Sequence, residues 1–86
     1  MDPQSPPARL RWRCRRGMQE LDVMLGGWLE QCWPAAGSAH REAFERLLEI
    51  EDDRLWDWLL GRSCPESGLE EIVREIRARH FGPAAQ

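Results

Sequence analysis

Apolar side chains recur along most of the chain at the three- and four-residue spacing of an α-helix. The clearest run is Leu21, Met24, Leu25, Trp28, Leu29 and Cys32, which fall at i, i+3, i+4, i+7, i+8 and i+11 and predict one helix from Met18 onward. Gly26 and Gly27 interrupt it, each at a cost of about 1 kcal/mol, so a kink or a close helix contact is expected there. Pro34 ends the run and "AAGS" makes a loop. Ser38 is then placed to cap a helix carrying Phe44, Leu47 and Leu48. Asp52 is placed to cap a shorter one, with Leu55, Trp56, Leu59 and Leu60 on its buried face and Gly61 at its end. After the turn "SCPE", Ser67 and Glu70 have the spacing of a capping box. They open a last helix with Leu69, Ile72, Val73 and Ile76 on one side and Gly82-Pro83 as its stop.

Before these elements, "MDPQSPP" is a proline-rich polar tail. Pro7 suits the first turn of a short helix through Leu10 and Cys14, and Gly17 suits a left-handed closing position. No stretch shows strand alternation bounded by turns. The pattern therefore predicts an all-α fold, a compact five-helix single domain over residues 8–83, flanked by a flexible tail at 1–7 and a short one at 84–86. At 86 residues such a chain buries roughly 60–65% of the surface it exposes when unfolded. Five tryptophans must carry an unusual share of that core, since Tyr is absent and Phe occurs twice.

Charge changes the picture at one end only. "RLRWRCRR", residues 9–16, holds five arginines and no acid; the formal net charge of −3 leaves −8 on the remainder. On a helix Arg9, Arg13 and Arg16 share one face and Arg11 and Arg15 another, with Trp12 between. Such a surface can dock something negative, or simply form ion pairs with the acidic body. Arginines beside an aromatic ring could also grip nucleic acid. However, the overall pI is about 5.3, the other helices are acidic, and no nucleic-acid-binding motif occurs.

Candidate chemistry is sparse. Ser38, Ser63 and Ser67 occupy turn or cap positions, and neither His40 nor His80 has a nucleophile nearby in sequence. His40 reads as solvated helix surface, and His80 as a favourable charge at a helix C-terminus. Cys14 and Cys32 lie on apolar faces, and Cys64 lies in a loop. No CxxC pair or Cys/His cluster joins the three thiols, so no metal site is expected from them. There is no phosphate-binding glycine loop, no secretion signal and no apolar run of membrane-spanning length. An enzyme with its own active site is not expected, no catalytic residue is assigned, and the absence of a targeting signal points to the cytoplasm.

One stretch remains, "RRGMQELD", Arg15 to Asp22. Met18 and Leu21 face the core, which leaves Gln19, Glu20 and Asp22 outside or at its edge. Arg16 and Glu20 are spaced i, i+4 if the first two helices are nearly continuous, a pair worth only about 0.2–0.5 kcal/mol. Read alone, this is a helix junction with a charged wet side.

The stretch also resembles a family. "WRCRRGMQELD" is similar to the SdhE family, small bacterial FAD assembly factors for succinate dehydrogenase with an Arg-Gly-x-x-Glu motif. Arg16, Gly17 and Glu20 fill the fixed places, and Trp12, Arg15, Met18, Leu21 and Asp22 fit the longer form. "FERLLEIEDDRLWDWLLG" resembles the family's third and fourth helices, and Trp28 stands where an aromatic is usual. The departures are Gly26-Gly27 and the "WPAAGS" loop. The resemblance implies a bacterial cytoplasmic monomer that binds the flavoprotein subunit of succinate dehydrogenase, and that of fumarate reductase as well. On that resemblance it would promote covalent attachment of FAD there and would hold no cofactor stably itself, because FAD belongs to the client. Arg16 would offer donors to the client, Gly17 would admit a close backbone, and Glu20 would pair with a client cation or orient a group. Arg15, Met18 and Asp22 would lie at the rim. The competing reading is an antitoxin-like or nucleic-acid-binding regulatory module. The implied partners include no nucleic acid and no membrane.

Overall fold

A computed structural model describes residues 6–82. It contains α1 (Ala8–Arg13), α2 (Gln19–Cys32), a single 3-10 turn (Trp33–Ala35), α3 (Ser38–Leu47), α4 (Asp52–Leu60) and α5 (Glu70–Phe81). No strand occurs among the described residues, and the all-α, five-helix expectation holds. Of the expected flexible tails, residues 1–5 and 84–86 lie outside the described residues, as does Pro83.

The apolar stripes meet around Trp28. Its buried ring stacks on Phe44 with centroids 4.6 Å apart and meets Trp33 edge-on at 6.5 Å. These arrangements suit the charge distribution of aromatic rings. Leu21, Met24, Leu25 and Leu29 bury the rest of the α2 stripe, while Cys32 is only partly covered. α2 packs on α1, on α5 and on the 3-10 turn, and α5 also lies against α3 and α4. No charged or polar residue is buried among those described, so the core needs no internal polar network.

Gly26 and Gly27 do not break α2, which runs through them as one helix. The close contact falls at Gly27, where an added Cβ would lie 3.2 Å from the Arg79 guanidinium of α5. The buried face of α4 is Leu55, Trp58 and Leu59; Trp56 and Leu60 are half-covered. The spacing i, i+3, i+4 centres the stripe on Trp58 rather than Trp56.

Several caps differ from expectation. Pro7 is the N-cap of α1 rather than a residue of its first turn, and its carbonyl accepts from the Leu10 and Arg11 N–H groups. α1 closes at Cys14, so Gly17 belongs to the connecting loop. Ser38 is the first helical residue of α3 and Gly37 the N-cap. Asp52 is likewise inside α4, with Glu51 as N-cap. The capping box at Ser67 does not form: Gly68, at φ +92°, inserts a turn before the helix, and Leu69 is the N-cap. The Glu70 carboxylate instead accepts from the Gly68 N–H at 2.9 Å. Gly61 ends α4 in the left-handed conformation (φ +79°), as its position suggested.

Candidate docking surface at the α1–α2 junction

The loop from Cys14 to Met18 turns the chain out of α1 and into α2. Its bend is at Gly17, whose φ of +88° favours a residue without a Cβ. Nothing lies within 4 Å of where a Gly17 Cβ would sit. The glycine is therefore required by backbone conformation and leaves open space beside an exposed main chain.

Arg16 points the other way. Its side chain is only 13% exposed. Nε donates to Asp52 Oδ1 at 2.8 Å, Nη1 to the Leu48 carbonyl at 2.6 Å and to the Arg13 carbonyl at 3.4 Å, and Nη2 to the Ile50 carbonyl. Four of its five N–H groups are thus engaged within the chain. The sequence reading had Arg16 offering these donors to a partner and pairing with Glu20. The structure spends them on the end of α3 and the start of α4, because the break at residues 14–18 turns the guanidinium away from α2. Asp22, half-buried, completes the clamp by accepting the Arg16 backbone N–H at 2.6 Å. Met18 is the N-cap of α2 and packs its side chain partly against the core.

Arg15, Gly17 and Glu20 face outward. The Arg15 guanidinium lies 5.5 Å from the centroid of the Trp12 ring, a cation–π contact, and Trp12 itself is 70% exposed. Glu20 Oε2 lies 2.7 Å from Nε2 of His80, at the end of α5. Phe81, 47% exposed, meets the His80 ring edge-on. The six residues singled out from the sequence therefore divide into three that face out and three that hold the junction in place.

Trp12, Val23, His80 and Phe81 are the surface residues that the sequence reading did not assign to the site. Trp12 was detectable: Leu10 and Cys14, spaced i, i+4, define the buried face of α1, and Trp12 lies off it. His80 had no local signal, since 60 residues separate it from Glu20.

A groove of about 340 Å³ runs between α1 and α2, lined among others by Arg11, Cys14, Arg15, Val23, Gly26 and Glu30. At its rim Arg11 clamps Glu30 through Nε at 2.5 Å and Nη2 at 3.3 Å. That hydrogen bond lowers the Glu30 pKa and raises that of Arg11. Cys14, in the floor, has its thiol pKa pushed up to about 11, chiefly by burial, with the Arg16 charge pulling the other way. A thiol held neutral is a poor nucleophile. The remaining basic residues are partly committed too, since Arg9 reaches Glu45 at 3.3 Å. Arg13 and Arg15 have no carboxylate partner among the described residues.

Residues 8–80 match the family described as flavinator of succinate dehydrogenase. The chain belongs to this family. Among its relatives, the FAD assembly factor SdhE of Xylella fastidiosa (strain Temecula1) is 42% identical over 79 residues, covering 91% of this chain and 81% of that protein. The protein of the same name in Coxiella burnetii is 41% identical over 70 residues, covering 80% of this chain and 85% of its own length. That of Vibrio cholerae is 38% identical over 75 residues, covering 86% and 87%. The family match takes in all of α1 to α4 and the whole α1–α2 junction. Among the described residues no helix is long and apolar enough to cross a membrane.

Proposed function

We infer that this chain is an FAD assembly factor for succinate dehydrogenase. It docks on the flavoprotein subunit through the α1–α2 junction and promotes covalent attachment of FAD to a histidine of that subunit. The flavoprotein of fumarate reductase is a second client. The observation that carries the reading is the division of labour at residues 15–22. Arg16, Met18 and Asp22 are fixed inward, and this presents Arg15, the bare Gly17 backbone and Glu20 on a rigid outer surface.

The bond-forming groups, a histidine nitrogen and the flavin methyl carbon, both belong to the client, so the helper acts on geometry rather than as an acid, base or nucleophile. Holding the client where these two atoms approach attack distance removes part of the entropic barrier to their reaction. It does so by favouring one client conformation over others. Gly17 admits a client backbone that any side chain would hold off. Glu20 is free to exchange its His80 contact for a client cation, because the pair it leaves is exposed and weak. Trp12 and Arg15 supply an aromatic and cationic flank of the kind enriched at the centre of protein interfaces. The regulatory, nucleic-acid-binding alternative has less support, since Arg9, Arg11 and Arg16 are already paired with carboxylates of the same molecule.

The test is Gly17→Arg, co-expressed with a flavoprotein subunit. A left-handed backbone costs a non-glycine residue about 1–2 kcal/mol, so the variant should remain soluble and helical. The covalent flavin fluorescence of the denatured client subunit should nonetheless disappear. Undiminished fluorescence with this variant would remove residues 15–22 from the working surface.

A further inference from the structure

Away from the α1–α2 junction, α3 and α5 bring together three metal-ligating side chains that the sequence keeps far apart. His40, in the first turn of α3, points at Glu71 and Glu75, which lie one turn apart on α5. His40 Nε2 is 2.9 Å from Glu75 Oε2 and 3.5 Å from Glu71 Oε2. One ligand atom from each of the three residues lies within 4.8 Å of the other two. We propose that His40, Glu71 and Glu75 form a binding site for a divalent transition-metal cation of the zinc or cobalt class.

Four observations support this. First, Nε2 of His40 is shielded from solvent and makes no hydrogen bond of acceptable geometry, even though a carboxylate oxygen stands 2.9 Å away. The ring nitrogen is therefore close to the Glu75 carboxylate without being satisfied by it. Second, with metal–ligand bonds near 2.0–2.2 Å, neighbouring donors around a tetrahedral ion stand about 3.3–3.6 Å apart. The His40–Glu71 separation, 3.5 Å, falls in that range, and the His40–Glu75 separation, 2.9 Å, is shorter than it. Third, Glu75 is oriented from behind. The indole N–H of the buried Trp28 donates to Glu75 Oε1 at 3.0 Å, leaving Oε2 aimed at His40. A fixed outer partner of this kind is characteristic of carboxylate ligands. Fourth, a cleft of about 130 Å³ lined by Ala39, His40, Ala43, Gly68, Glu71 and Ile72 opens beside the triad. It has room for the ion and the waters that would fill its remaining positions.

The donor set also selects the ion. One imidazole nitrogen with two carboxylates suits zinc, cobalt or nickel better than calcium, which takes oxygen ligands only. Two glutamates one turn apart repel each other, and a dication between them would relieve that repulsion. Binding needs His40 neutral with its lone pair on Nε2, so any proton there is released as the ion enters. None of these residues belongs to the docking surface, and the inference does not depend on the client.

The experiment is a titration of the metal-free full chain with Co²⁺, followed by visible absorption and by calorimetry. A single equivalent should bind with a d–d spectrum and no sulfur-to-cobalt charge-transfer band. Zn²⁺ should displace it. Glu71→Gln, at an exposed position that the fold does not require, should weaken binding by at least about tenfold, and His40→Gln should do the same. Cys64→Ser should leave the cobalt affinity unchanged. Circular dichroism of each variant keeps loss of binding separate from loss of fold. No binding to the parent chain, a charge-transfer band that vanishes in Cys64→Ser, or affinity unchanged in both Glu71→Gln and His40→Gln would each overturn the proposal and leave the triad as an ion pair.

Discussion

Arg16 and Glu20 have equal claims as charged residues of one short motif, yet they sit in opposite environments. Arg16 holds the Leu48 and Ile50 carbonyls and the Asp52 carboxylate. Arg16→Ala leaves those acceptors without a donor in a partly buried place, and it should destabilise the fold by about 2–4 kcal/mol. Glu20→Ala removes one exposed contact, that with His80, and should cost less than about 1 kcal/mol while abolishing client flavinylation. Urea denaturation of the two variants measures the contrast; equal losses would contradict the inward anchoring of Arg16. Cys14 gives a second prediction. Burial favours its neutral thiol, so its folded pKa, about 11, lies above the ordinary thiol value of about 8.5. The folded chain keeps that proton where the unfolded chain has begun to lose it. The stabilising contribution is therefore complete below about pH 8.5 and falls as pH rises toward 11. The chain has neither lysine nor tyrosine, so few other side chains titrate in that window. Unfolding midpoints measured from pH 8 to 11 should fall, and Cys14→Ala should flatten the curve.

At the scale of elements, helices are set by apolar spacing while their ends are set by contacts. α2 survives two adjacent glycines because its stripe of Leu21, Met24, Leu25, Trp28 and Leu29 is buried on α1 and α5. Gly26 has helical backbone and open space where a Cβ would lie. Gly26→Ala should therefore stabilise the protein by about 0.5–1 kcal/mol, raising the melting temperature by about 2–8 °C. A drop in a thermal melt would mean that α2 needs its glycine for a reason other than propensity. The ends were less legible. Ser38, Asp52 and Ser67 are good capping residues by type, but each falls one or more positions from the actual N-cap. A cap is decided by one residue's backbone angles and by what competes for its oxygen. Asp52 has Arg16 as its competitor, across 36 residues. At the other ends, two arginines serve as side-chain caps, one of them from far along the chain. Arg16 bonds carbonyls at and just beyond the end of α3, and Arg41 bonds the Trp33 and Pro34 carbonyls just past α2, both at 3.1 Å. A cation there also suits the helix dipole.

For the whole molecule, Trp28 is the point where the elements meet. It stacks on Phe44 of α3, touches Trp33 and hydrogen-bonds Glu75 of α5. Trp28→Ala should cost about 3–5 kcal/mol. For a small domain holding about 5–15 kcal/mol in all, that is a large fraction. Calorimetry should show a broadened or lost unfolding transition, and a sharp native-like transition would mean that the core closes over the gap. The class of fold, the number and order of the helices, most of the core and the family were all legible in the sequence. These follow from periodicity and from a local motif, and both are written within a few consecutive turns of chain. The sequence also marked the stretch 15–22, since glycine at a left-handed turn and charges beside it are local features. Tertiary structure alone decided which of those charges are free. Arg16 turned inward because carbonyls and a carboxylate from α3 and α4 happened to come within reach. Glu20 met His80, and His40 met Glu71 and Glu75, because α5 folds back across α2 and α3. The physical reason is that a charged side chain has no preferred partner until folding sets its distance, burial and competing donors, whereas an apolar stripe needs only a core to face.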